Sequence, residues 1–150
     1  MHLSDHFTLR EMTKSAYALR HDIDNTPSKQ IIQRLSVLAS AILEPIRKHF
    51  GLPFSPTSAY RSLDLNRALG SGDSSQHIRG EAVDIVLPGI STYDLALWIS
   101  KNLTCDQLIL EFYQAGDVKS GWVHCSYVQT AQRRQLLTYN GVSYENGLTA

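Results

Sequence analysis

The sequence lacks an excess of charge of either sign. Its 150 residues include 14 Lys and Arg and 14 Asp and Glu, so the formal net charge is zero. A protein that binds a polyanion usually carries a basic excess or a local basic patch. Here the short Arg133-Arg134 pair and scattered basic residues are typical of an ordinary solvated surface. We therefore expect no nucleic-acid partner.

Long apolar runs and cysteines are also scarce. No run approaches the roughly 20 apolar residues that cross a bilayer, and residues 1–6 lack the basic and apolar regions of a signal peptide. We expect synthesis in the cytoplasm without membrane insertion. The two cysteines, Cys105 and Cys125, are too few for a disulfide scaffold and have no Cys-x-x-Cys spacing. Cys125 is expected to be a small core residue.

The length and the 43% hydrophobic content are typical of one globular domain with its own core, spanning residues 1–150. Helical patterns come first and strand patterns mostly follow, which favours an α+β fold with a small antiparallel sheet packed against helices. Residues 133–150 form a predicted C-terminal hairpin and tail, because Asn140-Gly141 separates two alternating runs. We expect helices at 8–18, 26–50 and 93–100, and strands at 54–60, 84–87, 106–112 and 122–128.

The most informative stretch runs from Ser75 to Ile85. His77 and Asp84 stand seven positions apart with Gly80 between them, and an apolar run follows. A helix brings together residues three or four apart, so this spacing indicates a turn that leads into a strand. A histidine on the turn and an aspartate on the strand can then reach one point in space.

A third candidate ligand, His124, lies in an alternating strand pattern. Trp122, His124 and Ser126 share one predicted face, and Cys125 lies on the other. Two imidazoles and one carboxylate are a common protein set for catalytic zinc, with the fourth position left to water. A single His or Asp is more often an ordinary surface residue, but the three together support the hypothesis of one zinc ion bound by His77, Asp84 and His124.

A zinc hydrolase also needs a base and groups that stabilise the oxyanion. Glu111 is the leading candidate for the base, because pairing of strands 106–112 and 122–128 would bring it near His124. A solvent-facing Glu at a strand end is the plain alternative, and Asp117 is a weaker candidate base. Arg61 could polarise the scissile carbonyl or clamp a substrate carboxylate, although surface arginines are common.

Several of these motifs together resemble a known family. Ser75-x-His77-x6-Asp84, then Trp122-x-His124, with Ser58-Ala59-Tyr60-Arg61-Ser62 upstream, resemble the zinc D-Ala-D-Ala carboxypeptidases and endopeptidases of metallopeptidase family fifteen, whose fold also occurs in Hedgehog domains. The segments Phe7-Thr8-Leu9-Arg10-Glu11, Asn25-Thr26-Pro27 and Leu43-Glu44-Pro45-Ile46-Arg47 resemble the short phage and prophage branch. The resemblance covers about residues 3 to 130.

The resemblance implies a peptidase that cuts peptidoglycan peptide stems, either as a D-Ala-D-Ala carboxypeptidase or as an endolysin-type endopeptidase. It implies that His77, Asp84 and His124 hold one zinc ion, that Arg61 assists substrate binding and catalysis, and that a carboxylate base activates the metal-bound water. Ser75 and Gln76 are expected to line the cleft and contact substrate.

The sequence departs from the resemblance at one position. Several family members carry an acid three residues before the last histidine, and here that position is Gly121. Glu111, which matches the Asp-Gln-Leu-Ile-x-Glu pattern of the phage branch, is therefore the predicted base.

Two alternatives remain open. One is a zinc-containing binding module of the same fold that recognises peptidoglycan or a protein without turnover; the other is a non-catalytic virion component. We expect a monomer that acts on the cell wall after phage-type release. The orientation of Glu111 distinguishes a hydrolase from a binding module.

Overall fold

The computed structural model describes residues 1–150, and it centres on one five-stranded sheet. The spatial order is β1-β3-β2-β4-β5, and every neighbouring pair is antiparallel except β2 and β4, which are parallel. The strands are β1 (Ala82–Ile85), β2 (Gln107–Glu111), β3 (Trp122–Ser126), β4 (Gln135–Tyr139) and β5 (Tyr144–Asn146).

The parallel pair departs from the predicted antiparallel sheet. β3 ends beside the start of β2, where Ser126 pairs with Gln107. The short connection keeps the chain at that end, and the Gln135 N–H donates to the Asp106 carbonyl at 3.0 Å. Because β3 already occupies one edge of β2, β4 starts along the other edge and runs in the same direction as β2.

Six α-helices accompany the sheet: α1 (Leu9–Thr13), α2 (Ala16–Arg20), α3 (Lys29–Leu38), α4 (Glu44–Phe50), α5 (Leu63–Ala68) and α6 (Thr92–Asn102). With the sheet, they confirm the α+β class. None of the helices is both long enough and apolar enough to span a membrane.

The predicted capping box at Thr8 and Glu11 is present, but the first helix is shorter than expected. It ends at Thr13, and Ser15 begins a second helix by accepting the Ala18 N–H at 3.1 Å. A serine side chain that accepts a nearby backbone N–H favours a new helix start over continuation. The prediction of one helix over residues 8–18 is therefore wrong.

The long helix over residues 26–50 starts two residues later than predicted. Ser28, not Thr26, is the N-cap, because the Ser28 side chain accepts the Ile31 N–H at 3.3 Å. A π-helical turn, Ala39–Leu43, joins α3 to α4. This turn precedes Pro45, whose nitrogen cannot donate a hydrogen bond to the helix.

The predicted strand at 54–60 is only a single bridge between Ser58 and Asp84. Pro53 and Pro56 lack the N–H groups that a strand ladder requires. Two backbone hydrogen bonds remain, from Thr57 N–H to the Asp84 carbonyl at 2.9 Å and from Asp84 N–H to the Ser58 carbonyl at 2.8 Å. They fix the chain before Arg61 beside the centre of β1.

The two faces of the sheet have different chemistry. Val83, Ile85, Val123 and Cys125 point to the helices and belong to a core of 22 buried hydrophobic residues. Successive side chains of a strand alternate between faces, so the residues between them point the other way. That second face carries the candidate functional site.

Candidate metal centre

Strand pairing brings two of the predicted ligands together. Asp84 in β1 and His124 in β3 are direct partners in the antiparallel register, so their side chains stand side by side on the face opposite the core. His124 Nδ1 lies 3.1 Å from Asp84 Oδ1. The predicted alternation of β3 therefore places His124 on the face where Asp84 also lies.

His77 reaches the same point from the turn before β1. Its Nδ1 lies 2.6 Å from the Ala59 carbonyl, which accepts the ring N–H, and its Nε2 lies 3.4 Å from Asp84 Oδ1. The ring is almost completely buried. A backbone carbonyl that accepts one ring N–H fixes the tautomer and leaves the other nitrogen free to bind a metal. Gly80 allows the turn because glycine readily adopts its φ of 71° and because an added Cβ would lie only 3.0 Å from Ile31 Cγ2.

The three side chains fit a zinc ion. One ligand atom from each of His77, Asp84 and His124 lies within 4.8 Å of the others. Zinc bonds to nitrogen and carboxylate oxygen of about 2.0–2.2 Å in a tetrahedron require ligand atoms roughly 3.3 Å apart. The measured separations of 3.1 Å and 3.4 Å are close to that value. The cluster could therefore hold a metal through two nitrogens and one oxygen.

Asp84 is held in its charged form. Burial alone would raise the pKa of its carboxyl group, but hydrogen bonds and charge from His124 and His77 hold that pKa well below its usual range. A metal ligand must be deprotonated to bind. The Asp84 carboxylate therefore already carries the charge that metal binding requires, and the histidine protons that lower its pKa must leave when a metal binds.

Arg61 contacts the other oxygen of the same carboxylate. Its Nη2 donates to Asp84 Oδ2 at 3.3 Å, Nε donates to Ser58 Oγ at 3.1 Å, and Nη1 donates to Asn66 Oδ1 at 3.3 Å. Only 16% of the side chain is exposed. Arg61 thus lines the cleft, and three of its nitrogens already bind neighbouring side chains of the site. Asn66, fully buried, is a supporting residue that no sequence pattern identified.

Glu111, the predicted base, lies in the same cleft. Ile109 is opposite His124 in the β2–β3 register, and Glu111, two residues further, is on the same face. Burial raises the pKa of its carboxyl group, nearby His124 opposes that rise, and the charge of Asp84 adds to it. A half-buried acid with a raised pKa beside a candidate metal site is suited to proton transfer.

The alternative acids do not occupy this position. Asp117 is exposed in the β2–β3 connection, where its carboxylate accepts the Lys119 N–H at 3.2 Å. Gly121 has φ of 67°, and a Cβ atom there would lie 1.9 Å from the Glu111 carbonyl oxygen. An acidic side chain at position 121 is therefore incompatible with this backbone, which explains the departure seen in the sequence.

Ser75 and Gln76 also line the cleft, but their polar groups have partners within the protein. Ser75 Oγ accepts the His77 N–H at 3.3 Å. The Gln76 amide donates to Asp106 at 2.9 Å and accepts from Arg133 at 3.3 Å. Their contact with substrate stays a prediction, and sequence reasoning missed Asp106 and Arg133 as members of this site.

The cleft around these groups has a volume of about 1120 Å³. Aromatic rings form its wall beyond Glu111. Phe112 stacks on Trp122 with ring centroids 4.9 Å apart, and Tyr139 stacks on Tyr144 at 4.3 Å. A cleft of this size can hold several residues of a peptide.

Comparison with known proteins agrees with this geometry. A family model described as Peptidase M15 matches residues 5–126, a range that includes all three candidate ligands, Arg61 and Glu111. A search of curated proteins found no match. The predicted resemblance is confirmed at the level of the family, while assignment to the phage branch stays a prediction.

Proposed function

Because the chain belongs to the peptidase M15 family, we propose that it is a zinc-dependent hydrolase of an amide bond in peptidoglycan peptide stems. The observation that carries the proposal is the position of Glu111 in the cleft that also contains His77, Asp84 and His124. A carboxylate with a raised pKa in that cleft supports turnover over simple binding.

His77, Asp84 and His124 would hold the zinc ion. When bound, zinc lowers the pKa of a water molecule and polarises a carbonyl. The protein contributes a fixed histidine tautomer through Ala59 and a carboxylate whose second oxygen is bound by Arg61. These contacts keep the ligand atoms in place before substrate arrives.

Glu111 is the proposed proton carrier. Its carboxylate accepts a proton from the water that attacks the amide carbon, as the new carbon–oxygen bond forms. The same carboxyl group then gives that proton to the leaving nitrogen as the carbon–nitrogen bond breaks. A raised pKa suits both steps, because the group must bind the proton and release it near neutral pH.

Arg61 is the proposed cation for the developing oxyanion. Its guanidinium lines the cleft while one nitrogen donates to Asp84 at 3.3 Å, so the cation is held in a fixed position. A donor fixed before the reaction stabilises developing charge without reorganisation. We propose a D-Ala-D-Ala carboxypeptidase or an endolysin-type endopeptidase that acts as a monomer on the cell wall after phage-type release.

The test combines metal analysis with product analysis. Purified wild type, Glu111→Gln and the surface control Glu145→Gln are assayed for zinc content and for cleavage of peptidoglycan followed by mass spectrometry. We expect one zinc per chain in all three, and a loss of cleavage by Glu111→Gln of about 100- to 10,000-fold, typical of a missing general base.

Other outcomes have distinct meanings. A zinc-loaded wild type that binds peptidoglycan but releases no product would favour the binding module. Full activity of Glu111→Gln would exclude Glu111 as the base. Wild type that takes up no zinc would contradict the metal centre itself.

A further inference from the structure

Three arginines line the cleft, but they differ in how far their guanidinium groups are already used. Arg61 is mostly buried and engaged with Asp84. Arg79 forms an ion pair with Glu81 at 2.7 Å and donates to the Ser74 carbonyl at 3.2 Å. Arg133 is the most exposed of the three, with 55% of its side chain accessible. It is the cation most open to a ligand in the cleft.

Arg133 is held firmly in spite of that exposure. Its backbone N–H donates to Asp106 Oδ1 at 2.8 Å, and its Nε and Nη2 donate to Asp106 Oδ2 at 3.0 Å and 2.7 Å. Nη2 also lies 3.3 Å from Gln76 Oε1. The Asp106 side chain is only 4% exposed, so the carboxylate of this ion pair is shielded from water although the arginine is not.

One nitrogen of the Arg133 guanidinium, Nη1, has no hydrogen-bond partner in the protein. The hydrogen bonds of Arg133 use its backbone N–H, Nε and Nη2, so the two N–H groups of Nη1 are available. An arginine already fixed through Nε and Nη2 loses little conformational freedom when Nη1 binds a carboxylate. The buried polar pair, Asp106 and Gln76, thus acts as a support that holds a donor group in the cleft.

The sheet gives the location of this donor relative to the reacting groups. Asp106 immediately precedes β2, Ile109 is opposite His124, and Glu111 ends the strand. Strand residues are spaced by about 3.3 Å, so Arg133 and its partner Asp106 lie roughly 10 Å along the strand from the metal-site position. Glu111 lies toward the other end. An extended peptide covers about the same distance with two or three residues.

We infer that Arg133 forms a carboxylate-binding subsite for a peptide carboxylate that lies two or three residues from the scissile amide. The inference rests on the proposed peptidase function and specifies which substrates that site prefers. Arg133 lies beyond residues 5–126, the range matched by the family model, whereas its supports Gln76 and Asp106 lie within it, so only the arginine of this subsite comes from the C-terminal part of the chain.

The test uses pairs of synthetic stem peptides that differ in one group. One member of each pair has a free carboxylate two residues from the scissile amide and the other has the carboxamide there, and separate pairs place that group before or after the amide. Wild type, Arg133→Gln, Arg133→Lys and the control Arg134→Gln are compared. Arg134 is the neighbouring residue, is exposed, and does not line the cleft.

We expect wild type to prefer the carboxylate peptide of one pair by about 10- to 100-fold in kcat/KM, the range of a charge-assisted hydrogen bond. Arg133→Gln should lose the preference mainly through a higher KM, whereas Arg134→Gln should keep it. Arg133→Lys should keep only part of it, because a single ammonium group cannot hold Asp106 and Gln76 and also leave a separate nitrogen free for the ligand. An equal fall in activity on both peptides of that pair in Arg133→Gln would overturn the inference.

Two measurements separate this inference from folding and from the proposed function. Thermal melting and zinc content show whether Arg133→Gln still folds. If it does not fold, the wild type alone decides, because a wild type that does not prefer the carboxylate peptide in either pair overturns the subsite. Calorimetric binding of the two peptides of each pair to zinc-loaded Glu111→Gln does not require turnover. Preferential binding of the carboxylate peptide there, without cleavage by wild type, would retain the subsite and refute the peptidase.

Discussion

Replacement of Gly121 by alanine should disturb the protein far more than an ordinary glycine substitution. The residue joins the β2–β3 connection to β3 with φ of 67°, and an added Cβ would lie 1.9 Å from the Glu111 carbonyl oxygen and 2.8 Å from that of Phe112. Nonbonded carbon contacts are optimal at about 3.5–4.0 Å, so the ends of β2 and β3 must separate by more than about 1 Å.

The expected cost has two parts. A left-handed conformation costs a non-glycine residue about 1–2 kcal/mol, and overpacking against fixed neighbours adds about 1–3 kcal/mol. The sum is about 2–5 kcal/mol. A domain of this size loses about 2–4 °C of Tm for each kcal/mol, so Gly121→Ala should melt roughly 4–20 °C lower.

Gly116→Ala is the matched control for the conformational part. Gly116 lies in the same connection with φ of 87°, but its Cβ position has no atom within 4 Å. We expect only the cost of about 1–2 kcal/mol there, which lowers Tm by roughly 2–8 °C. Differential scanning calorimetry of both variants measures the difference. If Gly121→Ala loses no more than Gly116→Ala, the contact with Glu111 is not the reason for glycine at 121.

Three further predictions concern single groups. Burial raises the pKa of Glu111, so its negative charge opposes folding at neutral pH. Metal-free Glu111→Gln should therefore melt above wild type at pH 7, and this difference in Tm should vanish as the pH falls below the ordinary glutamate pKa. A difference in Tm that does not change with pH would contradict this. Loss of a residue that supports a metal ligand typically weakens metal binding by about 10- to 100-fold, so Asp84→Asn, which removes a candidate ligand, should weaken zinc binding by more than that in a chelator competition. The control Asp64→Asn, at an exposed residue, should bind zinc as wild type does. Cys105 and Cys125 are buried with their sulfur atoms 3.1 Å apart, and the contact with Cys105 and burial raise the pKa of the Cys125 thiol. A thiol reagent should therefore label neither cysteine until the protein unfolds. Rapid labelling of the native protein would refute this.

The candidate ligands could be predicted because local rules determine their placement. Alternation along β3 fixes the face of His124, and the spacing from His77 to Asp84 with Gly80 between them requires a turn before a strand. Both rules depend on neighbouring residues only. The face of Glu111 followed from the same alternation once β2 and β3 were paired across their connection.

The support for Arg133 could not be predicted in the same way. Arg133 and Gln76 lie 57 positions apart, and their contact depends on the chain returning to the start of β2 before β4. No periodicity in either segment encodes that return. The strand predicted at 54–60 could have been rejected from the sequence, because Pro53 and Pro56 lack the N–H groups that a strand ladder requires.

The positions of the acid and the glycine are linked by the register of two strands. Glu111 pairs with Trp122, so the end of β2 and the start of β3 reach the same side of the cleft. A carboxylate from either strand end could serve one reacting amide there. Yet the backbone that brings Glu111 into the cleft places its own carbonyl where a side chain at 121 would begin. An acid at 111 and a glycine at 121 are therefore one structural solution, and transfer of the carboxylate to 121 requires a different path for both strand ends.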